Sequence, residues 1–161
     1  MNFNFHKLNF FLIKFALLYP IGKIPFAQGT FASLITLIFS YYFLVFFGEF
    51  YFLFLFLVLL VFSFFSIKIY IKIYNKNDPP EIVADELIGQ MISLFSILFL
   101  NIELNFYFLL VAFITFRFFD ISKIGLKNIE KLPKEWGILL DDIFAGIYSL
   151  LIQIILWKFI F

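Results

Sequence analysis

The chain has no cysteine and a single histidine, His6, so it offers no disulfide framework, no zinc ribbon and no thiolate nucleophile. Charge is also scarce, at 14% of residues, and Lys+Arg 12 against Asp+Glu 11 leaves a net charge of only +1. Without a basic surplus, nucleic acid is not an expected partner. What fills the sequence is apolar: 64% of its 161 residues are hydrophobic and 24% aromatic, with 29 phenylalanines. A soluble domain is usually about half apolar, and a core of this size has no room for the surplus. Lipid is the expected solvent. An AT-rich coding genome would by itself fill apolar positions with Phe and Ile, so no function is read into the phenylalanines. Any chemistry must come from oxygen and nitrogen groups.

Thr30 to Phe47 and Phe50 to Ile67 carry no charge, and each approaches the roughly 20 residues that cross a ~30 Å hydrocarbon core. The Gly48-Glu49 link between them is short enough for a helical hairpin. Residues 143–161 form another apolar run, interrupted only by Lys158, whose long side chain can snorkel to the interface. In between, Leu87 to Leu100 and Phe106 to Phe116 are too short alone. Spans over about 82–100 and 104–121 must recruit Asp85 and Glu86 in the first case, Arg117 and Asp120 in the second. Ionisable residues in membrane helices are costly and usually face a bundle interior or a wet cavity.

Positive charges orient the chain. Lys7, Lys14 and Lys23 precede the first span, Lys68, Lys72 and Lys76 follow the second, and Arg117, Lys123, Lys127, Lys131 and Lys134 follow the fourth. The links at Gly48-Glu49 and Asn101 to Asn105 have none. The positive-inside rule then places the N-terminus and both basic loops in the cytoplasm and the C-terminus outside. LNFFLIKFALLYPIG, with Lys14 in its middle, reads as an interfacial or re-entrant helix, and it lacks the small-residue cleavage site of a signal peptide. The expected fold is therefore an all-α polytopic membrane helix bundle in one domain over 1–161. It has about five transmembrane helices (30–47, 50–67, 82–100, 104–121, 143–161) plus that N-terminal helix.

Of the 11 carboxylates, only Glu49 and Glu103 fall on the predicted outer side. Asp85, Glu86, Asp120, Asp141 and Asp142 sit where three different helices enter the membrane on the cytoplasmic side. Packed side by side, such ends would crowd several carboxylates into one volume, and a hard divalent cation is the natural counter-charge. An all-oxygen ligand set favours Mg²⁺ over zinc or copper. Structural readings stand beside these. Asp78-Pro79-Pro80-Glu81 has the pattern of a capped helix start, which would put Asp85-Glu86 one turn deeper. Asp141-Asp142 would then be first-turn acids complementing a helix dipole. Function and helix-end electrostatics both remain open for the two acidic pairs.

Arg117, Asp120 and Lys123 follow i, i+3, i+6 spacing and share a helix face. They serve either as a salt-bridged helix anchor or as a metal-binding Asp beside two cations for a phosphate. Asp142, Ala145, Gly146 and Ser149 share another face, whose small residues allow close helix approach and would bring acids together. Gln28-Gly29-Thr30-Phe31-Ala32-Ser33 opens the first span with a flexible Gly and two hydroxyls. Thr30 as an N-cap and Gly29, Thr30 and Ser33 as phosphate contacts are the two readings.

IPFAQGTFASL, EIVADELIGQMISL, and FRFFDISK followed by GILLDDIFAGIYSLL stand in an order and at spacings that resemble the phosphatidylglycerophosphatase A family of bacterial lipid phosphatases. The matching pieces run from about Ile24 to Leu151. The resemblance implies Mg²⁺-dependent hydrolysis of phosphatidylglycerol phosphate to phosphatidylglycerol and phosphate, at the cytoplasmic face of a bacterial inner membrane. It implies a catalytic acidic set of Asp85, Glu86, Asp120, Asp141 and Asp142, of which Asp85, Glu86, Asp141 and Asp142 would hold metal. Arg117 and Lys123 would lie nearby for the phosphate. Departures from the family pattern fall at Gln28, Ala84, Ile124-Gly125 and Glu135-Trp136, which affect loop shape and leave the ionisable set intact. A transporter using intramembrane carboxylates is the rival reading, yet such sites lie near the bilayer midplane between repeated helices, and here the charges gather at one interface with no internal repeat. A non-catalytic scaffold is the second rival.

Overall fold

The computed structural model describes residues 2–76, 79–100, 104–125 and 132–159, with side chains from residue 6 onward. Asp78, Glu103, Lys127, Glu130 and Lys131 lie outside the described residues, as does the end of the predicted last span. Every regular element described is helical: α1 (Asn2–Ala16), a 3₁₀ turn (Ile21–Lys23), α2 (Gln28–Tyr74), α3 (Ala84–Ser93) running into a second 3₁₀ turn (Leu94–Leu98), α4 (Phe106–Ser122) and α5 (Lys134–Phe159).

The chain reverses inside α2. Gly48 alone is non-helical there, at φ 81 and ψ 177, a region that essentially only glycine occupies. The reversal follows from what lies on each side of it. A Cβ on Gly29 would touch Glu86, and Ser63 Oγ donates to Ala84 O, so residues on either side of Gly48 meet the first turn of α3. In a straight helix those two residues would be ~50 Å apart at 1.5 Å per residue. Phe43 and Phe52, on opposite sides of Gly48, have ring centroids 6.4 Å apart. The expected hairpin is thus present as two arms, 28–47 and 49–74. Nothing lies within 4 Å of a Cβ built on Gly48. Gly48→Ala is therefore expected to cost backbone strain alone, about 1–3 kcal/mol, read as a lower thermal midpoint by circular dichroism in detergent.

Among the described residues α2 and α5 are long and apolar enough to cross a membrane. The expected third span takes a different form. It is a helix of 10 residues that tightens into the 3₁₀ turn at Leu94. Ser93 Oγ donates back to Gln90 O at 2.7 Å, the kind of side-chain competition for backbone acceptors that ends or bends helices. This helix is also the most enclosed one. Ala84, Asp85, Ile88 to Ser93 are all buried, and α2, α4 and α5 pack around it. Surrounded by protein, α3 needs neither the length nor the uniform apolarity that lipid contact demands.

Aromatic packing fills the bundle, with Phe95 edge-on to Phe52 and Phe56, and Phe108 edge-on to Trp157. Buried amides and hydroxyls tie the helices together. Gln153 on α5 donates to Ser93 O at 2.6 Å and accepts from Ser96 Oγ at 3.2 Å, while Thr115 and Ser149 join α4 to α5. Small and hydroxyl residues play this part in apolar surroundings. Many Phe side chains, such as Phe46, Phe50 and Phe54, point outward from α2. α1 packs on the second arm through Phe15 and Phe62, and Val83 N donates to Ala16 O, fixing the approach to α3.

The expected helix start at Asp78 to Glu81 is not where α3 begins. Val83 precedes the first helical residue, Ala84, and Pro79 to Glu81 form a turn before it. Glu81 instead accepts from Tyr70 Oη at 2.9 Å and pairs with Lys76, whose hydrogen bond holds its carboxyl below the usual glutamate range against the opposing effect of burial. Pro80 restricts Pro79 away from the helical region, and Glu81 is turned to Tyr70 and Lys76, so the helix starts only after them. The two acidic pairs exchange their expected places. Asp85 and Glu86 lie in the first turn of α3, whereas Asp141 and Asp142 lie two turns inside α5, which starts at Lys134.

Candidate active site

The site originates in a contact between two backbones. A Cβ on Gly146 would stand 2.5 Å from Gly89 O, and one on Gly89 would stand 2.6 Å from Asp142 O, distances no real side chain tolerates. α3 and α5 therefore touch at these glycines as only small residues permit. Asp85 is one turn before Gly89, and Asp142 is one turn before Gly146. Helical side chains lean toward the N-terminus, so both acids project past the contact into the same space.

Asp85, Glu86 and Asp142 each place a carboxylate oxygen within 4.8 Å of the others. Asp85 and Asp142 are buried, and Asp85 Oδ1, Glu86 Oε2 and Asp142 Oδ2 are buried without a hydrogen-bond partner among the described residues. Buried polar atoms are nearly always satisfied. One orphaned oxygen from each of three crowded carboxylates is the arrangement a hard cation with oxygen ligands would complete, and the donor set therefore fits Mg²⁺.

A cavity of about 650 Å³ opens over this triplet. Asp120, Asp141, Arg117 and Lys123 line it too, so all five acids singled out in the sequence border one space. Two of those acids are engaged with cations. Asp120 pairs with Arg117 one turn earlier on α4, and Asp141 Oδ2 lies 2.7 Å from Lys123 Nζ. Of the four expected metal ligands, the structure thus brings three within mutual reach and directs the fourth, Asp141, toward Lys123, because adjacent helical residues point about 100° apart. Lys123 does not continue the α4 face as its spacing predicts. α4 ends at Ser122, and Lys123 follows in the left-handed conformation, φ 49, from which its side chain reaches α5.

The first turn of α2 supplies the opposite wall. Gly29 lines the cavity, and a Cβ there would lie 2.1 Å from Glu86 Oε1 and 3.1 Å from Arg117 Nη1, so a bare backbone lets these two side chains meet. Thr30 is not the expected cap: α2 starts at Gln28 after Ala27, in the left-handed conformation, and no side chain caps it. Ser33 Oγ donates to Gly29 O at 2.8 Å and lies 3.4 Å from Arg117 Nη1. Neither Thr30 nor Ser33 lines the cavity, and Ser33 bears on the site through Arg117.

Gln28 and Lys134 line the cavity as well, and sequence reasoning missed both as site residues. For Lys134 a signal existed, since it stands two turns before Asp141 on one helix face once α5 is allowed to begin there. Pro79, Pro80 and Ile82 close the cavity on the α3 side.

Comparison with known proteins adds an independent line. The family model for phosphatidylglycerophosphatase A matches residues 14–157. A phosphatidylglycerophosphatase A of Haemophilus influenzae is 38% identical over 78 residues, 47% of this chain and 45% of that protein. A protein of Bacteroides thetaiotaomicron named as a putative phosphatidylinositol-3-phosphatase is 34% identical over 82 residues, 50% of each chain. The chain thus aligns with about half the length of these curated relatives. No solved structure matches.

Proposed function

This chain belongs to the phosphatidylglycerophosphatase A family, and from that premise we propose that it is a multi-pass membrane phosphatase that hydrolyses phosphatidylglycerol phosphate to phosphatidylglycerol and inorganic phosphate, using Mg²⁺. The observation that carries the reading is the triplet of orphaned carboxylate oxygens beside Arg117 in one cavity. In this proposal Asp85, Glu86 and Asp142 hold the cation. Its bound charge would supply Lewis-acid polarisation of the phosphoryl oxygens.

The chain's own residues then divide the remaining work. Arg117, aimed by Asp120, grips the terminal phosphate and offsets charge that develops on it during P–O cleavage. Backbone N–H groups of the uncapped first turn of α2 add donors at the same wall, as helix N-termini do for phosphate. Lys123, held by Asp141, and Lys134 at the head of α5 face the rest of the head group, including its internal phosphodiester. The orientation we propose places this cavity at the cytoplasmic face. It is supported by the lysines flanking it and by the gathering of both ends of α2, the start of α3, the end of α4 and the start of α5 at one end of the bundle. Charges gathered at one end, away from the middle of α2 and α5, do not favour a transport site.

The test is phosphate release by the purified chain in detergent from phosphatidylglycerol phosphate, with phosphatidylinositol 3-phosphate as competing substrate. Release from the first that EDTA abolishes and excess Mg²⁺ restores is expected. No release from folded, Mg²⁺-loaded protein, or undiminished release in EDTA, would overturn the proposal.

A further inference from the structure

A second cavity, of about 340 Å³, opens between the end of α4 and the middle of α5, walled by Phe119, Ile124, Gly125, Tyr148, Leu151 and Ile152. Its walls belong to the end of α4, the turn after it and α5, segments that also carry Asp120, Lys123, Asp141 and Asp142 of the acidic site. Phe119 and Ile124 are the chain neighbours of Asp120 and Lys123, so the end of α4 turns its charged residues to one cavity and its apolar ones to the other. On α5 the groove starts at Tyr148, ~9 Å along the axis from Asp142, and extends to Ile152 at ~15 Å, always toward the apolar end of the helix. The Tyr148 hydroxyl is the polar side-chain group at its upper end. A Cβ on Gly125 would stand 3.3 Å from that hydroxyl, so the glycine leaves the space above it open. The Tyr148 ring packs edge-on to Phe119 at 5.4 Å, and both line the groove.

Along this line the protein presents carboxylates and cations, then a hydroxyl, then a hydrocarbon wall. A glycerolipid with a phosphorylated head group presents phosphate, then ester, then acyl chain, in the same order. We propose that this groove seats one acyl chain of the lipid whose phosphate occupies the acidic cavity. The inference rests on the lipid-phosphatase reading and adds the subsite that would distinguish a membrane-resident substrate from a soluble phosphomonoester. Leu151 is half exposed, so a larger side chain there fills the groove without entering the core.

The experiment compares the full chain with Leu151→Trp and Ile152→Trp in detergent, using two phosphatidylglycerol phosphates, one with long acyl chains and one with water-soluble two-carbon chains. Displacing roughly two methylenes of the seated chain should raise KM for the long-chain lipid about tenfold in both variants. Their kcat/KM for the short-chain substrate should stay within about twofold of wild type, which also reports that they are folded. Equal losses on both substrates, or no change on either, would overturn the groove as the acyl seat. An activity-independent arm uses a long-chain phosphatidylglycerol phosphate with a photoactivatable diazirine at the chain end. It should label the peptide containing residues 148–152, and excess unlabelled phosphatidylglycerol phosphate should suppress that labelling where phosphatidylcholine does not. Labelling that both lipids suppress alike counts against the proposal. If the wild type hydrolyses neither substrate, the enzymatic reading fails by itself, and the labelling arm still decides the groove.

Discussion

Asp142→Asn is expected to lower kcat for lipid phosphate release by roughly 10²–10³-fold while raising the thermal midpoint of the metal-free protein. The opposed signs have one cause. Asp142 is buried within 4.8 Å of Asp85 and Glu86, and no hydrogen bond reaches its Oδ2 among the described residues. In the absence of a cation these like charges repel and are poorly solvated, so a neutral, isosteric amide relieves the fold. A gain of about 1 kcal/mol would appear as a shift of roughly 2–4 °C in a chain of this size. With Mg²⁺ the order reverses: the wild type gains stability by mass action, about 2.7 kcal/mol at a hundred times Kd, and the variant forfeits that gain. Melting curves in EDTA and in Mg²⁺, alongside phosphate release, measure all three effects. A scaffold whose acids are merely solvated would show none of them.

Gly146→Ala is expected to damage stability and catalysis together. The added Cβ meets Gly89 O at 2.5 Å and Ile92 Cβ at 3.0 Å, and the first of these is backbone that cannot swing aside. α3 and α5 must part, at a cost of about 1–3 kcal/mol typical of overpacking. Because Asp85 and Asp142 each stand one turn above that contact, the parting widens the carboxylate triplet, and phosphate release should fall by roughly 10²-fold, as for other angstrom-scale misplacements. Gly48→Ala supplies the comparison: a similar loss of stability at the α2 reversal, far along both arms from Gly29 and Ser63, with kcat unchanged. If Gly146→Ala and Gly48→Ala reduced activity in parallel, the glycine contact would have no special bearing on the acids.

How far the sequence discloses this arrangement depends on which physical signal each part left in it. Scarce charge in an apolar chain made Asp85, Glu86, Asp120, Asp141 and Asp142 conspicuous, and the structure places all of them around one cavity. The small face of Ala145 and Gly146 announced a close helix contact, which Gly89 completes from the other side. Helix boundaries left a weaker signal. Asp78 to Glu81 carries the composition of a cap, yet consecutive prolines and the engagement of Glu81 by Tyr70 and Lys76 postpone α3 to Ala84. Hydropathy left Leu87 to Leu100 short of a membrane span, and extending it to 82–100 assumed contact with lipid, whereas α3 is enclosed by protein. Partner choice was legible only in part: the i, i+3 spacing of Arg117 and Asp120 announced their pairing, whereas that of Asp141 with Lys123, which leaves Asp85, Glu86 and Asp142 together, depends on the left-handed turn at Lys123 and on the rotation of α5.

Whether Asp85, Glu86 and Asp142 act as one divalent-cation site is answered most directly by titrating the purified protein with Mn²⁺ in place of Mg²⁺ and following the free ion by electron paramagnetic resonance. The proposed site predicts saturable binding that Mg²⁺ competes away, that Asp85→Asn and Asp142→Asn each abolish, and that Gly48→Ala leaves intact. Binding that persists undiminished in both asparagine variants, or none in the wild type, would contradict it.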